Sequence, residues 1–431
     1  MRPSNIFVFG LDDFHLAQLE TLGGPDEYHF HELYRHEEVK PAGGEFPVAE
    51  LLKGAADRLD AFEGSVDAIV GYWDFPVSTM LPLLRRPWEL PSPDFEAVLR
   101  CEHKYWSRLE QQAACPEVTP AFCAVDPFAD DTVGQLEIEY PFWIKPVKAA
   151  SSYLGFKVRD RHELEHALNR IRRGIKRFGN PFNYLLKFAD VPPEVARVDG
   201  NHCIAEQIIA ADRQCTLEGY VHAGEVVVYG IVDSFRGGLI PSSFTRYQYP
   251  TTLPETVRQR MIGIADRFLR HIGYDDSPFN MEFFWDSITD ELWLLEINTR
   301  ISKSHAPLFQ LVDGMYHHKV MVDTALGAKP DFPHRRGEHR CAAKFMWRVV
   351  SDAIVSRVPT EKEIQQLRAR VPELMVQIHV KEGMRLSELS DQDSYTYEIA
   401  VLFLGGDSER ELLEKYTFCQ ESLHLHLHPV S

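Results

Sequence analysis

The sequence predicts a multidomain protein of mixed α/β and α+β class. It has an N-terminal parallel α/β domain, a central unit rich in hairpins, and a C-terminal mixed α/β domain. Three observations carry this. Short apolar runs that stop at glycine, Asn5 to Gly10 and Val66 to Gly71, flank amphipathic stretches in the first hundred residues, the pattern of strands alternating with helices in a parallel sheet. From Cys203 to Ser234 and again from Phe279 to Ile301 the chain reads as hairpins. A Pro- and Arg-rich stretch, Lys329 to Arg340, reads as a linker to a last mixed unit. A chain of 431 residues supports about two to four domains, and the expected boundaries are 1–100, 101–335 and 336–431.

The elements follow in order. Asp12 and Asp13 offer N-caps for a helix over Phe14 to Leu22. Phe95 to Ala113 reads as one helix between Pro-rich segments. Tyr140 to Val158 reads as two strands joined by the loop Lys148 to Leu154, and Arg161 to Phe178 as one charged helix. Residues 179–203 read as irregular, a length of loop that is uncommon without a functional role. His222-Ala223-Gly224-Glu225 is a tight turn between alternating strands. Pro254 to Ile272 and Pro307 to Gly327 are helical.

The formal net charge of −18 argues against nucleic acid or an anionic membrane surface as the main partner. The seven cysteines contain no C-x-x-C pair, so neither a zinc ribbon nor a disulfide framework is expected. Without an apolar h-region or a membrane-length apolar run, a cytoplasmic location is the expectation.

The chemistry is concentrated in Asn280 to Arg300. Glu296 and Asn298 lie two apart on a strand and therefore share a face. A hairpin pivot near Thr289 sets Glu282 opposite Glu296. Two carboxylates and an amide oxygen held this close call for a cation, and an all-oxygen set selects a hard ion such as Mg²⁺ or Mn²⁺. Arg300, two residues further, suits developing negative charge on a phosphoryl or acyl oxygen. Upstream, Lys145 ends the strand Phe142-Trp143-Ile144 and is placed to meet phosphate oxygens. The small residues of the loop Lys148 to Gly155, among them Ser151 and Ser152, let backbone N–H groups approach a phosphate. Lys104 read alone is a solvated helix lysine. The segment Glu206-Gln207-Ile208-Ile209 is equally an adenine-binding connector or an ordinary strand end.

In this order, Cys101 to Trp106, Phe142 to Pro146, Ile204 to Ile209, Asn280 to Phe283 and Leu295 to Arg300 resemble the ATP-grasp superfamily, over roughly residues 100 to 330. The resemblance implies a central ATP-grasp fold with a mobile lid subdomain at about 140–210. It implies ATP held by Lys104, Lys145, Ser151, Ser152, Gly155, Glu206, Gln207, Ile208 and Ile209. It also implies Mg²⁺ (or Mn²⁺) on Glu282, Glu296 and Asn298, with Arg300 and Lys145 as catalytic groups. The C-terminal unit resembles that of carboxylate–amine ligases that make dipeptides. The implied activity is ATP-dependent amide formation through an acyl phosphate, on small-molecule carboxylate and amine substrates of the amino-acid class. Neither nucleic acid nor a membrane is an expected partner, and a homodimer is left open.

Departures from the family pattern bear on the rivals. The phosphate loop has one glycine, Gly155, and Gln214 stands where an acid is usual. Ser304, in Arg300-Ile301-Ser302-Lys303-Ser304-His305, replaces the carboxylate that acts as base in biotin carboxylases, which argues against a bicarbonate-using enzyme. The intact set of lysines, acids and Arg300 argues against a non-catalytic nucleotide-binding regulator. Arg236, Arg246, Ser302, Lys303, Ser304 and His305 are the candidate substrate contacts. The tail His424, His426 and His428 reads first as an alternating strand face.

Overall fold

The computed structural model describes residues 2–24, 26–40, 43–150, 153–237, 240–389 and 396–430. Strand β1 (Ser4–Leu11) is apolar on both faces, as the centre of a parallel sheet requires. It lies between β2 (Tyr28–Arg35) and β3 (Ala68–Val70), both parallel to it. Its alternation divides two cores: Phe7 and Phe9 pack with Val77, Met80 and Leu81, whereas Ile6 and Val8 pack with Leu19 and Met321. Asp12 is the N-cap of the helix Asp13–Leu19 and accepts from His15 N at 3.0 Å, so Asp13 is the first helical residue.

The stretch expected as one helix from Phe95 is two, Phe95–Glu102 and Lys104–Ala114. His103 separates them in an extended conformation (φ −86°, ψ 99°) and its Nδ1 accepts from Trp106 N at 3.2 Å. The ring thus caps the second helix and makes Lys104 its first residue.

A small antiparallel sheet follows, formed by β4 (Phe122–Val125), β5 (Phe142–Pro146), β6 (Phe156–Val158) and β7 (Cys203–Gln207), in the order β4-β7-β5-β6. The helix Arg161–Gly174 covers it, with Leu164, Ala167, Leu168 and Ile171 against Phe142, Ile144 and Val158. This subdomain is wider than the expected 140–210, because β4 supplies an edge strand. The expected helix to Phe178 also breaks at Ile175, and a second one runs Lys176–Leu186 into the segment expected to be irregular.

The large sheet begins with β8 (Arg213–His222), β9 (Glu225–Gly237), β10 (Ile240–Tyr249), β11 (Ser277–Trp285) and β12 (Leu292–Asn298). It continues into the C-terminal part, where β13 (Cys341–Val349), β15 (Met375–Ile378) and β16 (Tyr397–Gly406) join it. The order is β12-β11-β8-β9-β10-β13-β16-β15. The β8–β9 turn puts Ala223 at φ 49° and Gly224 at φ 75°, the pair of positive values a two-residue hairpin turn needs. The expected boundary at 335/336 therefore does not divide the sheets. Strand β13 pairs with β10, Lys344 opposite Tyr247, and covers an edge that would otherwise present open backbone groups. Beside it, β14 (Ala353–Arg357) pairs with β17 (His426–Pro429). Leu425 and Leu427 pack against this pair, while His424, His426 and His428 are exposed, as an alternating face requires.

One face of the large sheet packs on the helix Glu255–Ile272. Cys215, Leu217, Phe279, Met281 and Phe283 meet Met261, Ile264, Ala265 and Phe268. The period of two on β11 then turns Asn280, Glu282 and Phe284 to the opposite face. No helix among the described residues is long and apolar enough to cross a membrane.

Candidate active site

On β12, Leu292 and Leu294 face the core. Simple alternation would send Glu296 and Asn298 after them. A bulge at Leu295 prevents this: Glu282 pairs with Glu296 and Asn280 with Asn298, but Phe283 pairs with Leu294. The extra residue shifts the face of everything beyond it, so Glu296 and Asn298 join Glu282 on the open side while Ile297 returns to the core. Asn298 donates its amide to Asn280 Oδ1 at 2.9 Å, which leaves its own carbonyl oxygen as a potential ligand. The Asn280 amide in turn donates to Arg300 O at 3.0 Å.

Burial, and then the nearby Glu296 carboxylate, push the Glu282 carboxyl up to about 7. Burial also works to raise Glu296, but the Lys104 and Lys145 ammonium groups outweigh it and hold that carboxylate below its usual range. A raised acid facing an ionised one is a site short of positive charge. The donor set is two carboxylates and an amide oxygen, which fits a hard divalent ion with remaining positions for phosphate or water. Among the described residues no three His, Cys, Asp or Glu converge elsewhere as a rival metal site.

The cleft beside this pair is lined by Lys104, Arg108, Lys145, Glu206, Leu295 and Glu296, among others. Lys104 Nζ donates to Glu296 Oε1 at 2.9 Å and to Ala149 O at 3.2 Å. Lys145 on β5 forms a 2.6 Å ion pair with Glu206 Oε2, and Arg108 meets Glu206 Oε1 at 2.7 Å. Burial would raise Glu206; the two cations prevail and keep it well below the usual carboxylate range. Its carboxylate is thus directed at protein cations. Gln207 is exposed, and Ile208 and Ile209 follow as half-buried residues at the strand end. Gly155 lies beneath the Trp143 indole, where a Cβ would come within 3.0 Å of the ring. Ser151 and Ser152 fall outside the described residues.

Arg300 meets Asp74 of the N-terminal domain at 3.3 Å, and its Nε has no hydrogen-bond partner among the described residues. Arg236 lies over the Phe244 ring at 3.8 Å and donates to Gln214 Oε1 at 3.0 Å; Gln214 donates onward to Glu282 Oε2 at 3.2 Å. Arg246, expected beside Arg236, stands apart from the cleft. Strand alternation turns it to the other face, against Phe235 and in an ion pair with Glu409 at 2.5 Å. Its neighbour Tyr247 instead meets the His305 ring at 5.1 Å. His305 Nδ1 lies 2.8 Å from the fully buried Glu218, which also accepts from Ser302 N at 3.3 Å. Ser302 and Ser304 approach one another at 3.4 Å, and Lys303 Nζ lies 3.9 Å from the centre of the Trp73 ring.

Several groups at the site were not singled out from sequence. Arg108 sits one turn after Lys104 on the same helix, and i,i+4 spacing alone would have pointed to it. Glu102 is buried and accepts from Ser78 at 2.7 Å and Thr299 at 2.9 Å while pairing with Lys148. It ties the N-terminal domain, the Arg300 strand end and the root of the small-residue loop together. Asp74 and Glu218 carried no sequence signal, because their partners lie far along the chain.

Residues 249–331 match the family model of the carbamoyl-phosphate synthase L chain ATP-binding domain. Uncharacterized protein y4rH of Sinorhizobium fredii is 24% identical over 265 residues, 61% of this chain. The aligned part is 49% of y4rH, so the chain spans about half the length of that relative. The L-amino acid ligase of Bacillus licheniformis superposes with a TM-score of 0.75 at 19% identity, covering 99% of both chains. The biotin carboxylase domain of Hydrogenobacter thermophilus 2-oxoglutarate carboxylase, solved with MgADP, ADP and bicarbonate, gives 0.64 at 16% identity, covering 99% of this chain and 92% of that one. These are similarities of architecture over essentially the whole length. They show that the chain has the fold these ATP-grasp proteins share, with the ordered lysines, the acid pair and Arg300 gathered at one cleft.

Proposed function

We propose that this chain is an ATP-dependent carboxylate–amine ligase that activates a small carboxylate, of the amino-acid class, as an acyl phosphate and joins it to an amine. The observation that carries the reading is Glu282 directly opposite Glu296, two carboxylates on a cleft face with Asn298 beside them. These three residues would hold Mg²⁺, which would neutralise charge on the phosphates of ATP. Lys104 and Lys145 reach the same cleft and orient phosphate oxygens, and the strand end at Glu206 to Ile209 borders the nucleotide. Arg300 is held by Asp74 with its Nε unpaired, which suits an oxyanion forming on the acyl carbon as the amine attacks, worth about 3–4 kcal/mol for such a donor. Ser304 in place of a carboxylate leaves no base at that position for bicarbonate chemistry.

The test is phosphate release from Mg-ATP across the twenty amino acids, singly and in pairs, with mass spectrometry of the products. Release that depends on a pair, with a product of one condensation, is the expected result. Incorporation of labelled bicarbonate without any pair-dependent product would overturn it.

A further inference from the structure

Away from the acid pair stand two lysines that have no ion-pair partner among the described residues. Lys303 comes from the short helical turn Lys303–His305 and Lys344 from β13. Almost every other cation near the cleft is matched: Lys104 with Glu296, Lys145 with Glu206, Arg300 with Asp74, Arg348 with Glu398. Among the described residues neither Lys303 nor Lys344 has a carboxylate within ion-pair distance; each meets an aromatic face instead. Lys303 Nζ lies 3.9 Å from the centre of the Trp73 ring, and Lys344 Nζ lies 5.6 Å from that of Tyr247. Trp73 is held by Nε1 donating to Gly10 O at 2.7 Å and by stacking on His36 at 3.5 Å. Tyr247 is fixed by its contact with His305, two residues after Lys303.

Burial and then Lys344 bring Lys303 down to about 7, and burial lowers Lys344. The acids that face this region are engaged. Asp12 pairs with His15 at 2.7 Å, and Glu398 with Arg348 at 2.7 Å and His379 at 3.4 Å. Asp12 and Glu398 act on the two lysines only at a distance, and half-buried cations without a contacting carboxylate are stabilised further by an anion that arrives from outside.

Its position says which anion. The acid pair stands on β11 and β12 at one end of the sheet, and β13 is four strands further along from β11. The carboxylate that is activated must lie at the phosphate end, with Arg300. A carboxylate between Lys303 and Lys344 therefore belongs to the other substrate. We infer that Lys303 and Lys344 bind the carboxylate of the amine substrate, with the Trp73–His36 stack as the wall beside it, so that this substrate is an amino acid and not a simple amine. The inference rests on the ligase reading above.

Three measurements on the whole protein separate the two. Hydroxylamine in place of the amine traps an acyl phosphate as a hydroxamate, whatever the acceptor site does; its absence with every carboxylate of the amino-acid panel defeats the ligase reading itself. Given trapping, the unaltered enzyme is offered each amino acid and its α-amide as acceptor. Acids are expected to be used with at least tenfold higher kcat/KM, and equal use of acids and amides overturns the inference. Lys344→Gln and Lys303→Gln are expected to raise the acceptor KM at least tenfold, and Lys344→Arg to recover most of it. If the variants instead raise the KM of the trapped carboxylate in the hydroxylamine reaction, the anion belongs to the first substrate and the inference fails.

Discussion

Arg108 seals the bulge at Leu295: its guanidinium donates to Leu295 O at 3.0 Å and to the adjacent Leu294 O at 2.7 Å. The bulge is what turns Glu296 and Asn298 from the core to the cleft, and the extra residue leaves carbonyls without ladder partners. The same guanidinium holds Glu206 at 2.7 Å. One buried side chain thus joins β12, which carries Glu296 and Asn298, to Glu206 near the end of β7. Arg108→Met is expected to cost about 3–5 kcal/mol, the usual effect of removing one member of a buried ion pair, read as a lower denaturant midpoint. Arg108→Lys is expected to recover little, because an ammonium cannot serve two carbonyls and a carboxylate in one plane.

Glu296→Ala removes one carboxylate of the facing pair and frees Lys104. Turnover is expected to fall by about 10²- to 10³-fold, with phosphate release no longer saturating in Mg²⁺ over the range that saturates the unaltered enzyme. Activity within tenfold and an unchanged Mg²⁺ response would remove Glu296 from the metal set.

His103 gives a pH dependence with a definite sign. Burial lowers the folded imidazole to about 4, while Nε2–H donates to Val198 O at 2.8 Å and Nδ1 caps the helix that begins at Lys104. The unfolded chain, with an ordinary histidine, takes up a proton between about 6.5 and 4 when the folded chain does not. Stability from this group is therefore full above about 6.5 and lost as pH falls toward 4, by up to about 3 kcal/mol. Urea midpoints from pH 7.5 to 4.5 measure it; His103→Gln is expected to lower stability at pH 7.5 and flatten this slope.

The two arginines on neighbouring strands are expected to behave differently. Arg236→Ala breaks the chain of hydrogen bonds through Gln214 to Glu282 and should raise substrate KM by about tenfold, the equivalent of a typical net hydrogen-bond energy. Arg246→Ala, on the far face with the half-exposed Glu409, should leave KM within about twofold and cost about 1 kcal/mol of stability. Steady-state kinetics with the substrate pair from the amino-acid screen, alongside urea melts, distinguish the two.

Much of the site was legible because its residues are regularly spaced. A hairpin pivot near Thr289 and a period of two bring Glu282, Glu296 and Asn298 together, and the pairing of Glu282 with Glu296 follows that register. The bulge at Leu295 was not legible: on strict alternation Glu296 shares a face with Leu294, and nothing in Leu-Leu-Glu announces an inserted residue. The break at His103 is hidden in the sequence for a similar reason. The helical pattern from Phe95 continues through it, and only the ring's contacts with Trp106 N and Val198 O show why the backbone leaves the helix there.

By itself the sequence determined the hairpins around His222 and Thr289, the parallel character of the N-terminal sheet and the identity of the charged groups, because these depend on local period, turn chemistry and residue chemistry. The tertiary structure decided that the C-terminal strands extend the central sheet, that Arg246 leaves the cleft, and that Lys303 and Lys344 meet aromatic rings and, among the described residues, no carboxylate. Those facts depend on which distant segments fill an open strand edge and on which carboxylates are already taken. They are set by pairing and by charge balance between segments about a hundred residues or more apart, as in β10 with β13 and Arg246 with Glu409, where no spacing in the chain records them.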